Sequence, residues 1–201
     1  MRNILYGVAV SAHQVEGSPN SDWNDWEEQN ANKLAEEASK RLSSEKVWED
    51  IMEEAENPEN YVSGDGVGHR DQYEQDFEIA SNMGLDAFRN SFEWSRIQPE
   101  EGEFDDDEIE FYREYLNSMK KYGLEPVMTL WHFTHPKWFE DEYGWHDDRS
   151  VEKFTEYVEK VTQEFGEEIE YWITLNEANA WVRPAYGVTN VMPFVGLDRN
   201  W

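Results

Sequence analysis

From Asp71 to Leu175 the chain alternates helix-period and strand-like apolar segments, and this rhythm limits its fold more than any other feature. Tyr73, Phe77 and Ala80 recur at helical spacing, and Gly84 follows as a stop signal. Leu85 to Phe92 reads as a strand. The next helix starts in the acidic run Asp105 to Glu108, where carboxylates suit the positive end of the helix dipole. Its apolar stripe is Ile109, Tyr112, Leu116 and Met119, and Lys120, Lys121 and Gly123 close it. Pro126 to Trp131 reads as another strand. Val151, Phe154, Val158, Val161 and Phe165 give the most regular helical stripe, ended by Gly166, and Glu170 to Leu175 is the last strand. With Asn3 to Val10 as the first, four strands alternate with helices. The pattern predicts an α/β fold of βα units around a parallel sheet; periodicity alone leaves a barrel and a doubly wound sheet equally open.

Residues 18–70 interrupt the rhythm after the first strand. They are polar and irregular, with one helical stretch from Ala31 to Glu56 and a loop marked by Gly64, Gly66 and Gly68. The expectation is a single domain over residues 1–201, without internal repeat or low-complexity linker. A complete (β/α)8 barrel typically needs about 250 residues.

The residues that end the strands carry the chemistry. The first strand leads to Ser11, His13, Gln14 and Glu16; the second carries Arg89, Asn90, Glu93 and Trp94. The third ends in Trp131 and His132, the fourth in Asn176 and Glu177. Strand ends of βα units converge on one face, which in barrels holds the active site. Each residue also has a plainer reading: Glu177 as a solvated carboxylate, His132 as a half-buried histidine with satisfied hydrogen bonds. Arg89 within a strand is harder to dismiss, because a buried cation calls for an anion beside it. His132, His135 and His146 lack the i, i+4 spacing of a zinc helix, so no metal is expected. The three glycines do not sit between a strand and a helix, so no dinucleotide cofactor is expected either. Trp94, Trp131, Trp138 and Trp181 follow strands, where aromatic faces beside polar groups would suit a sugar.

Charge narrows the partners. Acidic residues outnumber basic ones 45 to 17, for a net charge of −28. Ten Trp, ten Tyr and ten Phe argue against disorder, so the acidity reads as adaptation to high salt. A phosphate backbone requires a basic patch, so nucleic acid is not an expected partner. No cysteine is available for disulfides or thiolate metal sites. The N-terminal apolar stretch is short and runs into Gln14 and Glu16, unlike a signal peptide, and no run is long enough to span a membrane. A cytoplasmic protein is the expectation.

Six collinear blocks then make a specific resemblance: GVAVSAHQVEG at 7–17, SDWNDWEEQ at 21–29, NPENYVSGD at 57–65, MGLDAFRNSFEWSRIQPEEGEFD at 83–105, EPVMTLWHFTHPKWF at 125–139 and YWITLNEAN at 171–179. Over about residues 5–187 the chain resembles glycoside hydrolase family 1, and within it the archaeal β-galactosidase/β-glucosidase branch. The resemblance implies a (β/α)8 TIM barrel that hydrolyses β-linked glucosides and galactosides with retention. It implies that Gln14, His132 and Asn176 bind sugar hydroxyls, that Glu177 is the general acid/base, and that Arg89 holds the nucleophilic carboxylate. Retaining enzymes set two carboxyls about 5–5.5 Å apart; one attacks the anomeric carbon and the other protonates the leaving oxygen.

The sequence departs from that pattern in places. Ala178 replaces the proline of the usual Asn-Glu-Pro, and Phe133 stands where many members carry Trp. The tail from Val188 to Trp201 matches poorly, and no fourth helix is read after it. No Glu-Asn-Gly segment, the family's nucleophile context, occurs in the 201 residues. The expectation is therefore the first half of the barrel, with about four βα units and a long insertion after strand one. Such a chain would need a C-terminal half or a second copy beside it and would be inactive alone. Two alternatives stay open: a cellulase-like retaining glycosidase, and a non-catalytic sugar-binding or half-barrel assembly protein.

Overall fold

The computed structural model describes residues 4–186, with burial assigned up to residue 182. The elements run β1 (Gly7–Ala9), α1 (Ala12–Glu16), α2 (Asp22–Glu36), α3 (Ala38–Leu42), α4 (Trp48–Ala55), a 3-10 turn (Pro58–Tyr61), α5 (His69–Asn82), β2 (Ala87–Ser91) and α6 (Trp94–Ile97). They continue with α7 (Asp106–Lys121), β3 (Glu125–Trp131), α8 (Lys137–Glu142), α9 (Ser150–Phe165), β4 (Tyr171–Leu175) and α10 (Ala178–Tyr186).

Among the described residues the sheet has four strands in the order β1-β2-β3-β4, and every pair is parallel. A doubly wound sheet reverses its order at a switch point; this one does not. The progression in one direction, with helices between strands, is that of half a (β/α)8 barrel.

One face of the sheet is closed by helices. Phe88, Met128, Leu130 and Trp172 alternate onto it and meet Phe77 of α5, Tyr112, Tyr115 and Leu116 of α7, and Phe165 of α9. Burying side chains of this size stabilises the fold by roughly 1.5–3 kcal/mol each. α7 starts as expected: the Asp105 carboxylate accepts from the amides of Asp107 and Glu108. On α9 the buried line passes through Tyr157, Val161 and Phe165, while Val151 is exposed. Tyr157 takes the inner position because its hydroxyl reaches the Leu130 carbonyl, 3.0 Å away.

The other face is open. Register and alternation put Arg89, Val127, Thr129, Tyr171, Ile173 and Leu175 on it. Tyr171 and Leu175 are 43% and 40% exposed, and all three residues of β1 are exposed. β1 and β4 thus form the two edges of the sheet, and neither pairs with a further strand among the described residues.

Several expectations need correction. The first strand, expected from Asn3 to Val10, covers only Gly7–Ala9 of the described residues, and Asn3 itself lies outside them. The single helix expected from Ala31 to Glu56 is three helices, because the segment folds back on itself. Arg41 of α3 reaches the Leu34 carbonyl at the end of α2 and the Tyr61 hydroxyl in the 3-10 turn. An unbroken helix could not make these contacts, and its second half has no buried residue to hold it straight. A helix, α10, follows the fourth strand directly; the tail from Val188 lies outside the described residues.

The glycine loop has a packing role. A β-carbon on Gly17 would lie 2.1 Å from the Gly64 carbonyl oxygen, and one on Gly66 would lie 2.7 Å from the Gln14 carbonyl oxygen. The loop therefore lies backbone to backbone against α1 and its C-terminal turn, which only glycine permits.

Candidate active site

Arg89 organises the open face. Its Nε donates to Thr129 Oγ1 at 3.1 Å, and its Nη2 donates to Asn176 Oδ1 at 2.6 Å. A guanidinium only donates, so the Asn176 amide must turn its oxygen to Arg89 and its NH2 away. The Asn176 backbone amide donates to the Trp131 carbonyl at 2.9 Å, which holds this residue to the end of β3.

Glu177 comes next and leaves the sheet abruptly. Its φ is 38°, in the left-handed region, and its carbonyl accepts from the amides of Ala180 and Trp181 as α10 begins. Phe133 makes the same turn after β3, with φ 76°. Left-handed backbone is uncommon outside glycine, costs of order 1 kcal/mol or more, and concentrates at functional sites. Here the two strained residues directly follow Asn176 and His132.

Electrostatics tie the same residues together. Burial lowers the proton affinity of Arg89, and the negative charge of Glu177 opposes that shift. Burial, with the Arg89 charge added, pushes the His132 imidazole down to about 4. His132 is therefore neutral near pH 7, able to donate to or accept from a hydroxyl, and its Nδ1 is buried without a hydrogen-bond partner among the described residues. Arg89, His132, Asn176 and Glu177 thus form one constellation built from three strands.

Gln14 is not linked to it. The residue is exposed on α1, and its side chain makes no hydrogen bond among the described residues. What is fixed is the helix that carries it. The Ala12 amide donates to Ser91 Oγ at 2.8 Å, and the His13 ring contacts Ser18, Glu27 and Ser63.

Other polar residues at the strand ends turn toward the helices. Asn90, one position after Arg89, points the opposite way and lies 2.6 Å from Glu16 Oε1. Burial pushes the Glu16 carboxyl up to about 7, against the pull of Asn90, Arg70 and Arg96. Glu93 is also buried, with its proton affinity raised by burial, and it accepts from Ser95 and Thr134. Trp94, Trp131 and Trp181 are 1%, 2% and 5% exposed, so they are core and not open faces for a sugar. One partly exposed aromatic pair is Trp23 and Phe133, stacked at 6.4 Å. His135 is committed to Glu140 at 2.9 Å and Asp22 at 3.6 Å. Among the described residues no group of three or more His, Cys, Asp or Glu side chains could hold a metal ion.

Sequence reasoning missed Thr129, the buried hydroxyl under Arg89. Its only signal was a threonine alternating onto the same face as Arg89, which becomes readable once strand register is known.

This arrangement of a neutral imidazole, an oriented amide and an exposed carboxylate suits a neutral, hydroxyl-rich substrate. The model of the Glycosyl hydrolase family 1 matches residues 1–200. The chain belongs to glycosyl hydrolase family 1. The match includes most of the tail after Val188, which the sequence reading had set apart. Beta-glucosidase 3 of Arabidopsis thaliana is 32% identical over 190 residues, which are 92% of this chain and 33% of that protein. Coniferin beta-glucosidase of Pinus contorta is 31% identical over 189 residues, again 92% of this chain and 33% of the relative. The β-glycosidase BGL167 superposes with a TM-score of 0.73 at 32% identity, covering 92% of this chain and 39% of its own. A β-glycosidase from Pyrococcus horikoshii gives a TM-score of 0.67 at 28% identity, covering 90% and 36%. The chain thus spans about one third of the length of the curated relatives it matches.

Proposed function

We propose that this chain supplies the acid/base half of a retaining β-glycosidase site acting on β-linked glucosides or galactosides. Glu177 is the general acid/base, and Asn176 donates its NH2 to the sugar hydroxyl next to the anomeric carbon. His132 and Gln14 bind further hydroxyls, and Arg89 holds the attacking carboxylate. The observation that carries this reading is the Arg89–Asn176 bond, which turns an amide donor outward beside Glu177. The attacking carboxylate comes from polypeptide outside these 201 residues that supplies the remaining βα units, which would pair with the exposed edges β1 and β4. The test compares the chain alone with the chain joined to such a polypeptide, using nitrophenyl β-glucoside and β-galactoside. Turnover is expected only in the second case; turnover by the chain alone refutes the division of the site.

We also place the chain in the archaeal β-galactosidase/β-glucosidase branch and in the cytoplasm of a salt-adapted cell. The support for salt adaptation is the net charge of −28. Raising KCl from about 0.1 M to about 1 M shortens the screening length from about 10 Å to about 3 Å. Self-repulsion should fall and the melting temperature should rise. A melting temperature that is flat or falls over that range removes the salt-adaptation reading.

A further inference from the structure

Thr129 is completely buried, yet its hydroxyl has a single hydrogen-bond partner among the described residues, Arg89 Nε. Its χ1 is stiff, as for any β-branched residue on a strand, so the oxygen is a fixed point. The bond reaches across from β2 to β3, and it is the only one anchoring the Nε edge of the guanidinium among the described residues. Nη2 is taken by Asn176, a residue that follows β4. With the side-chain stem as the third point, anchors on β3 and just after β4 fix the plane, and a planar guanidinium held at Nε and Nη2 cannot rotate. Nη1 then keeps one direction and makes no hydrogen bond among the described residues. The orientation of the Asn176 amide depends on that plane, because only a donor at this place keeps its oxygen turned inward.

We propose that Thr129 is a positioning residue for the glycoside site: its hydroxyl fixes the plane of Arg89 and, through Arg89, sets the direction in which Asn176 presents its NH2. The role rests on the glycosidase reading above for its purpose, but not for its geometry. Thr129 touches no substrate. Without it Arg89 keeps its charge and loses its aim, and Asn176 loses the partner that decides which end of its amide faces the sugar.

The test uses Thr129→Val, which keeps the shape and deletes the acceptor, beside Thr129→Ser, which keeps the hydroxyl. The readouts are the His132 titration and the Asn176 side-chain amide resonances, both by NMR on the full chain without ligand. The charge to be tracked near His132 is that of Arg89 on β2, and Glu177 after β4 acts on Arg89. In Thr129→Val the His132 titration should move upward by about one pH unit, a tenfold change in proton affinity, and the Asn176 amide signals should broaden or split. Thr129→Ser should restore both. If Thr129→Val lowers only the melting temperature and leaves both signals in place, Thr129 is merely structural and the proposal is overturned. Should that variant fail to fold, the wild-type chain decides: the Arg89 Nε–H should exchange at least about tenfold more slowly than in free arginine, as a held donor does. Exchange at the free rate overturns the proposal. Titration of methyl β-glucoside into the wild-type chain joined to its complement tests the glycosidase reading separately. Failure to bind there, with the Thr129 effects intact, sinks the reading and spares the positioning role.

Discussion

Glu177→Gln should lower hydrolysis of an alkyl β-glycoside by about 10²–10⁴-fold in a form that carries both carboxylates. Glutamine keeps the volume and polarity but can neither give a proton to the leaving oxygen nor take one from water. An alkoxide is a poor leaving group, so bond cleavage should fail for want of the acid. A dinitrophenyl leaving group needs no proton, so its release in the first turnover should survive almost unchanged, while regeneration of the enzyme slows. Rapid-quench kinetics on the two substrates reads the difference. Equal losses on both would mean that Glu177 acts by holding substrate and not by proton transfer. The left-handed backbone at Glu177 adds a control. Because the side chain is exposed and the strain is in the main chain, the substitution should leave the melting temperature unchanged.

The second large effect lies away from the open face. Glu16 is 1% exposed, and burial pushes its carboxyl from the ordinary value of 4.5 to about 7. A carboxyl raised by folding contributes full stability below pH 4.5, where both states hold the proton. That stability drains away as pH rises from 4.5 to about 7, because the unfolded chain ionises first. The loss approaches roughly 3 kcal/mol above pH 7. Glu16→Gln removes the ionisation while keeping an acceptor for Asn90 and a polar end near the Tyr112 hydroxyl, 3.4 Å from the carboxylate. The variant should match the wild type at pH 4 and be more stable at pH 8 by on the order of 2–3 kcal/mol. Urea denaturation across that range measures it. A less stable variant at pH 8 would show that Arg70 and Arg96 hold the charged carboxylate strongly enough to outweigh the cost of burying it.

The two buried carboxyls explain where sequence reading stops. Glu16, Glu93 and Glu177 come after strands and Arg89 lies within one, and nothing in their spacing says which face each one serves. Alternation separates Arg89 from Asn90, but only register shows that Arg89 shares its face with Thr129. The tryptophans illustrate the same limit. Trp131 and Trp181 follow strands as a sugar platform would, yet their rings meet at 5.2 Å inside the core. Aromatic surface is valuable in both places, so residue type alone does not separate them.

By itself the sequence determined the order and type of the βα units, because the period of its apolar residues is a local property of helix and strand. It also carried the family, through six blocks in collinear order, and it offered Gln14, Arg89, His132, Asn176 and Glu177 as candidates, of which the structure links all but Gln14. It could not determine that the segment from Ala31 to Glu56 breaks into three helices, nor that the sheet runs β1-β2-β3-β4 without reversal. Nor could it turn the Asn176 amide outward. These depend on contacts between residues far apart in the chain, such as Arg41 with Tyr61 and Arg89 with Asn176. Such contacts exist only once burial of the Phe88–Met128–Leu130 face has brought the strands together.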